Sequence, residues 1–433
     1  MKIAWFTPFN KKSAIGRYSQ YATQVLSKYA NVDIFISNKE NLHDTSLSTV
    51  HYTSKNVLSL LKDYDICIYN IGDYTEYHAS IYETMCNCPG IVIVHDLCLH
   101  NFFWGYYNLY LHKPEEYINI LISLYGKKNA YMILDASRAF ETWSALNLLD
   151  YHMTDLLCPY SLGFVAHSKY HESKLKSIYD GPICIVPLLY KNDWDIDNKD
   201  KDFDGYDSSK INLLTVGNIN SNKRIHSTIS AIGSNQKLRQ KINLTCIGSL
   251  ENKEYVEKLN RQITEMNLTE NIRLLGFVEN EQLSNYYTFA DASVNLRYPA
   301  FEGASASLVE QMQLGKTVIV SDTGVYSEIP NDCVIKIDPK NEVEELRQVL
   351  LNLINNPSKR KSYGANAKAY VKETFSPDKY GEKLYNFIKS IIFLKPLYSI
   401  TDLISQELNS MGVSLDMRIC ETVSKEVELL YEK

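Results

Sequence analysis

Short apolar runs recur along this chain, each followed by a turn and a stretch with helical spacing. The runs are Lys2–Phe6, Asn31–Ser37, Asp65–Tyr69, Gly90–Val94 and Gly163–Ala166, then Ile211–Val216, Leu244–Ile247, Ala292–Leu296 and Thr317–Val320. A strand apolar on both faces needs cover on both faces, and alternating helices supply it. The pattern predicts an α/β fold of parallel, doubly wound sheets. With 433 residues the chain is long enough for two cores. Lys191–Lys210 is polar, acidic and poor in aliphatics, and reads as a hinge between them. The expected division is a first domain over 1–190 with a helical insertion near 101–155, a linker over 191–210, and a second domain over 211–375. Helices over 376–433 would then return to the first domain and end in an extra tail.

Open parallel sheets bind ligands beyond the carboxyl ends of their strands. The most informative such end is Asn295–Pro330, NLRYPAFEGASASLVEQMQLGKTVIVSDTGVYSEIP. A strand runs into a loop holding Glu302, Gly303 and Ala304, and a helix follows from Ser305 to about Leu314, ended by Gly315. Glu310 lies eight residues after Glu302, about two helical turns into the helix. Between the two carboxylates the first amides of the helix face open space, which makes an anion site beside groups able to hold neutral hydroxyls. Phosphates together with sugars, as in a nucleotide sugar, fit that arrangement.

The stretch resembles the E-x7-E signature of the retaining glycosyltransferases of family 4, with Glu302 and Glu310 at its two glutamates and RYP, GKTVIVSDTG and SEIP flanking it. The resemblance implies the GT-B fold, two Rossmann-like domains facing a cleft. It implies transfer of a sugar from a nucleotide-sugar donor to an acceptor hydroxyl with the anomeric configuration kept, in surface glycan or glycoprotein synthesis. Glu310 would hold the ribose, Glu302 the transferred sugar, and the amides of Gly303, Ala304 and Ser305 the diphosphate. His95, which follows the GIVIV strand, matches a histidine that contacts the donor sugar. Asp96 would orient its ring, and His100 and His78 would stand on the acceptor side. Gly16 matches the glycine of a loop that approaches the sugar phosphate.

In the second domain Gly217 is followed by Asn218, where the family usually has an arginine, and Lys223 matches the family's lysine. Arg224, adjacent to Lys223, is one candidate for the missing charge; a hydrogen bond from Asn218 is the other. A leaving diphosphate needs cations or amides because charge builds on it. Phe277 and Val278 match a loop beside the base, and core packing explains Phe277 equally well. His95, Glu302 and Lys223 are therefore the expected catalytic residues.

The net charge of −6 argues against a nucleic-acid partner. Nine scattered cysteines lack zinc spacing and read as reduced core residues. Asp193, Asp195 and Asp197 imitate a calcium loop, but Asn198 and Asp204 occupy the positions that want Gly and Glu. Asp63-Tyr64-Asp65 fits a D-x-D pattern yet merely introduces a strand. Neither metal nor resident cofactor is expected. MKIAWFTPF enters a strand directly, and no apolar run reaches about 18 residues, so a cytoplasmic protein is expected.

The acceptor could be a glycan, a lipid-linked glycan or a protein. The aromatic-rich insertion, a region that touches membrane lipid in the family, leaves peripheral contact with the inner membrane face open. Apolar spacing in the tail (Ile400, Leu403, Ile404, Leu408, Ile419, Val423, Val427, Leu430) suggests packing on the first domain or a homodimer contact. Two other classes remain: a non-catalytic nucleotide-sugar-binding relative, and a sugar-nucleotide epimerase on the same fold.

Overall fold

In the computed structural model, which describes residues 1–138, 143, 146–190, 203, 206–413 and 418–431, the apolar runs become two all-parallel sheets. The first holds β1 (Lys2–Phe6), β2 (Asn31–Ile36), β3 (Thr49–His51), β4 (Ile66–Ile71), β5 (Gly90–Val94), β6 (Ser161–Ala166) and β7 (Ile183–Ile185), in the order β3-β2-β1-β4-β5-β6-β7. The second holds β8 (Ile211–Val216), β9 (Ile242–Ile247), β10 (Ile272–Leu275), β11 (Ala292–Asn295), β12 (Thr317–Ser321) and β13 (Ile335–Ile337), in the order β10-β9-β8-β11-β12-β13. The expected α/β, doubly wound architecture holds. The short edge strand β3 is an addition; only Val50 of Thr49-Val50-His51 turns inward, and no apolar run announces it.

The strand order reverses once in each sheet, between β1 and β4 and between β8 and β11. Loops that leave neighbouring strands toward opposite faces open a crevice there. Four chain segments enter these crevices: Thr7–Ser13 and Asn70–Asp73 in the first lobe, Gly217–Lys223 and Leu296–Ser305 in the second.

One buried apolar cluster joins the lobes. It includes Trp5, Ile93 and Leu162 of the first, Met312, Val318 and Tyr326 of the second, and Leu384 and Ile388 of helix Pro377–Ile391. That helix lies against helix Ala14–Leu26, where the hydroxyls of Tyr18 and Tyr380 hydrogen-bond. The next helix, Leu394–Ser410, leans on the first lobe through Lys395, whose ammonium donates to the Asp65 carbonyl at 2.8 Å, and through Tyr398, whose hydroxyl donates to the Pro159 carbonyl. Ile400 and Leu403 on the same helix are exposed.

The aromatic insertion forms helices His100–Gly105, Tyr106–Tyr110 and Pro114–Ala136. Most of the linker, with the calcium-like Asp193–Asp204 pattern, lies outside the described residues. Asp65 sits at the amino end of β4, where its carboxylate accepts the Lys2 amide at 2.7 Å. It is thus at the opposite end of the sheet from the crevice. No helix among the described residues is long and apolar enough to cross a membrane.

Candidate functional site

The two crevices meet in a backbone seam. The Gly303 amide donates to the His95 carbonyl at 3.0 Å, and the Leu97 amide donates to the Phe301 carbonyl at 2.6 Å. Asp96 and Glu302 face each other as an antiparallel bridge. The histidine loop and the glutamate loop, about two hundred residues apart in sequence, are therefore one structural unit. Gly303 is needed there for lack of room: a Cβ on it would come within 2.0 Å of the His171 ring nitrogen Nδ1. The Ser168 hydroxyl donates to the Gly303 carbonyl at 2.9 Å and ties the loop down from the other side.

Ser305 caps helix Ala306–Gln313, accepting the Leu308 amide at 3.4 Å. The Gly303 amide is spent on His95, so the expected amide set shifts along the chain. The amides of Ala304, Ser305, Ala306 and Ser307 have no acceptor among the described residues.

Glu302 is gripped by Arg297, with guanidinium Nε at 3.0 Å, and accepts the Tyr326 hydroxyl. Lys223 is 6% exposed, and its ammonium donates to the Val216 carbonyl at 2.7 Å. Gly217, at φ 111°, makes space for it, since a Cβ there would lie 2.5 Å from Nζ. Burial and the charge of Arg297 push the Lys223 ammonium well below its ordinary pKa, and Glu302 pulls it back up. The site thus sets Arg297 and a lysine whose charge burial disfavours against one carboxylate, beside four open amides, and an anion there would favour the lysine's charged form.

Arg297 is the cation that sequence reasoning missed. It stands in the RYP flank, and only the fold turns it toward Glu302. Arg224 does not take that place. It adopts φ 54° at the start of helix Ile225–Gly233, which directs its guanidinium to the buried Glu342 carboxylate at 3.0 Å. Asn218 is exposed.

Glu310 lies on the cleft side of its helix. Its Oε2 accepts the Tyr287 hydroxyl at 3.0 Å, and its Oε1 lies 3.2 Å from Arg17 of the first lobe. Burial raises its pKa, while Arg17 and Tyr287 draw it back. Phe277, in the loop after β10, is 66% exposed, which removes the core-packing alternative; Val278 packs beside Leu214 and Ile247.

The first-lobe residues are placed differently from expectation. His95 Nε2 donates to the Asn70 side-chain oxygen at 3.1 Å, Nδ1 faces the His167 ring at 3.4 Å, and Tyr18 packs edge-on against the ring. Burial and the neighbouring histidines hold its pKa well below the ordinary value, so the ring is neutral. Asn70 and His167, rather than Asp96, orient it. Asp96 instead accepts the Asp73 amide at 3.0 Å, and burial raises its pKa to about 6.

His100 is fully buried. Its Nδ1 meets the Tyr151 carbonyl and its Nε2 the Tyr117 hydroxyl at 2.7 Å, so it braces the helical insertion and does not line the acceptor side. His78 is 1% exposed, lies behind His95, and bonds the Asn70 carbonyl at 3.0 Å through Nδ1. Burial lowers the pKa of both to about 4. Gly16 is required by its own loop: a Cβ would lie 2.4 Å from the Pro8 carbonyl oxygen. Beside that loop is a cavity of about 120 Å³ lined by Thr7, Phe9, Asn10, Ser37, Asn38, Glu76 and Tyr77.

Residues 197–370 match the family described as Glycosyl transferases group 1. An uncharacterized glycosyltransferase of Methanocaldococcus jannaschii is 29% identical over 198 residues, 44% of this chain and 49% of that protein. The chain spans about half or less of the length of the curated relatives it matches. Among solved structures, HepE of Anabaena in complex with UDP aligns with 90% of this chain and 100% of its own, at a TM-score of 0.60 and 14% identity. Sucrose-phosphate synthase of Thermosynechococcus elongatus aligns with 90% and 99%, at 0.61 and 14%. These likenesses show the GT-B fold. The match to the glycosyltransferase family lies over the second lobe, and the likeness to the solved structures extends the fold to both lobes.

Proposed function

We propose that this protein transfers a sugar from a nucleotide-sugar donor to an acceptor hydroxyl, with retention and without a divalent ion. The observation that carries the reading is the seam between His95–Leu97 and Phe301–Gly303. It sets Glu302, Arg297, Lys223 and the open helix amides against the first lobe's crevice.

The donor diphosphate lies on the amides of Ala304–Ser307 and is faced by Lys223 and Arg297. These cations supply the charge that a metal supplies elsewhere. Glu310 takes the ribose hydroxyls, Glu302 a hydroxyl of the sugar, and Phe277 an apolar face of the base. Neutral His95, held by Asn70 and His167, shapes the first-lobe wall next to the sugar. The acceptor enters through the cavity beside Asn10, Glu76 and Tyr77, whose polar and aromatic lining suits a carbohydrate.

As the bond from the anomeric carbon to the phosphate oxygen breaks, the acceptor oxygen bonds that carbon on the same face. Its proton passes to the departing phosphate oxygen. Closure of the lobes limits attack by water.

The test is proton NMR of nucleotide sugars incubated with protein and a panel of sugar acceptors, with and without chelator. Donor loss that needs an acceptor, survives chelation and yields a product of unchanged anomeric configuration supports the reading. Activity that requires manganese, or epimerised donor formed without acceptor, refutes it.

A further inference from the structure

The Arg17–Glu310 contact occupies the carboxylate that the donor reading assigns to the ribose. Arg17 stands in the first turn of helix Ala14–Leu26, at the carboxyl end of β1, and reaches across the cleft to Glu310 Oε1 at 3.2 Å. Glu310 Oε2 accepts the Tyr287 hydroxyl at 3.0 Å. Both carboxylate oxygens are thus engaged before any ligand arrives. A carboxylate oxygen has two acceptor sites, so Oε2 can keep the Tyr287 hydroxyl and still take one ribose hydroxyl, while the vicinal hydroxyl needs room at Oε1, where the Arg17 guanidinium lies.

Of the two partners, Arg17 is the one built to leave. Tyr287 is fully buried, whereas Arg17 and Glu310 side chains keep 25% and 20% of their exposure. The backbone seam at His95 and Gly303, and the Glu328 contacts to the Lys169 and Tyr170 amides, join the lobes independently of Arg17. Breaking the pair therefore leaves the lobes together.

We propose that Arg17 is an internal competitor for the ribose subsite: it neutralises Glu310 in the empty protein and must be displaced when a nucleotide binds. The proposal rests on the donor-site reading above. Arg17 is a positioning residue in this scheme, setting donor affinity through Glu310 without being required for the chemistry. A diol exchanges one ion pair for two hydroxyl hydrogen bonds to the Glu310 carboxylate. The intrinsic affinity of the subsite is thereby reduced by the strength of the pair.

The experiment is calorimetric titration of wild type, Arg17→Ala and Arg17→Met with uridine, guanosine and adenosine and with their diphosphates. Removing the competitor should tighten binding of the preferred nucleoside and of its diphosphate by the same factor, about 1.5- to fivefold for a part-exposed ion pair. In a Glu310→Gln background the same Arg17 substitutions should give no gain. If Arg17 only propped the lobes together, its loss would weaken binding instead. Binding that is unchanged or weaker in both Arg17 variants, while wild type binds, overturns this inference and leaves the donor site standing. Failure of all proteins to bind any of the six probes overturns the donor reading and the inference together.

Discussion

Replacing Lys223 with Met should separate stability from function. The side chain is 6% exposed and makes one hydrogen bond, to the Val216 carbonyl at 2.7 Å. Losing that bond from a charged donor costs about 1.5–3 kcal/mol. Against this, Met removes a buried ammonium that burial and Arg297 both disfavour, and fills similar volume with apolar atoms. The net change in folding stability should stay within about 1 kcal/mol of zero or favour the variant.

Diphosphate binding should respond in the opposite direction. A hydrogen bond to a charged group contributes about 1.5–3 kcal/mol, so affinity should fall roughly ten- to 150-fold. Calorimetry with the preferred nucleoside diphosphate measures the loss, and thermal unfolding without ligand measures stability. The pH dependence adds a third readout. Below pH 10.5 the unfolded chain holds this proton more firmly than the folded one, so the lysine's contribution makes the folded protein gain stability as pH rises toward 10.5. The variant should lack that slope. An affinity change under about threefold, or destabilisation of about 3 kcal/mol such as a core truncation causes, would refute the argument.

Gly303→Ala should open the seam. The new Cβ would sit 2.0 Å from the His171 ring and force apart the Gly303–His95 and Ser168–Gly303 bonds, costing about 3–5 kcal/mol from overpacking and two lost hydrogen bonds. A melting temperature unchanged from wild type would contradict this. Phe277→Ser should leave stability within about 0.5 kcal/mol, because the ring is exposed, yet weaken nucleoside binding severalfold; equal binding would remove Phe277 from the base subsite. The buried neutral histidines His78, His100 and His167 have folded pKa values near 4. Between pH 4 and 6.5 the unfolded chain binds these protons and the folded chain does not, so melting temperatures should drop as pH falls through that window. Substituting His100 with Gln should shallow the drop; an unaltered profile would exclude His100 as a contributor.

Legibility was uneven for physical reasons. Fully buried parallel strands must be apolar on both faces, so β1, β4, β5, β8 and β12 stood out as continuous runs. The half-exposed edge strand β3 did not. Residues fixed by local backbone geometry were equally visible: the helix near Ser305 and the spacing of Glu302 and Glu310, although Ser305 proved to be the cap rather than the first helical residue. Roles that depend on side chains crossing from another element were not. Arg224 looked like the replacement cation because it neighbours Lys223, but its left-handed backbone sends it to Glu342. His100 looked like an active-site histidine because it follows a strand end, but five residues of turn carry it under the helical insertion to Tyr117 and Tyr151.

The sequence by itself determined the two parallel sheets and the carboxyl-end loops that carry polar residues, because burial and helix periodicity are written in neighbouring positions. Tertiary structure alone decided which of those polar residues meet. Arg297 on Glu302, Arg17 on Glu310, and His95 between Asn70 and His167 join positions 5 to 293 residues apart. Pairing at such distances is set by how helices and loops pack in three dimensions, which no local pattern records.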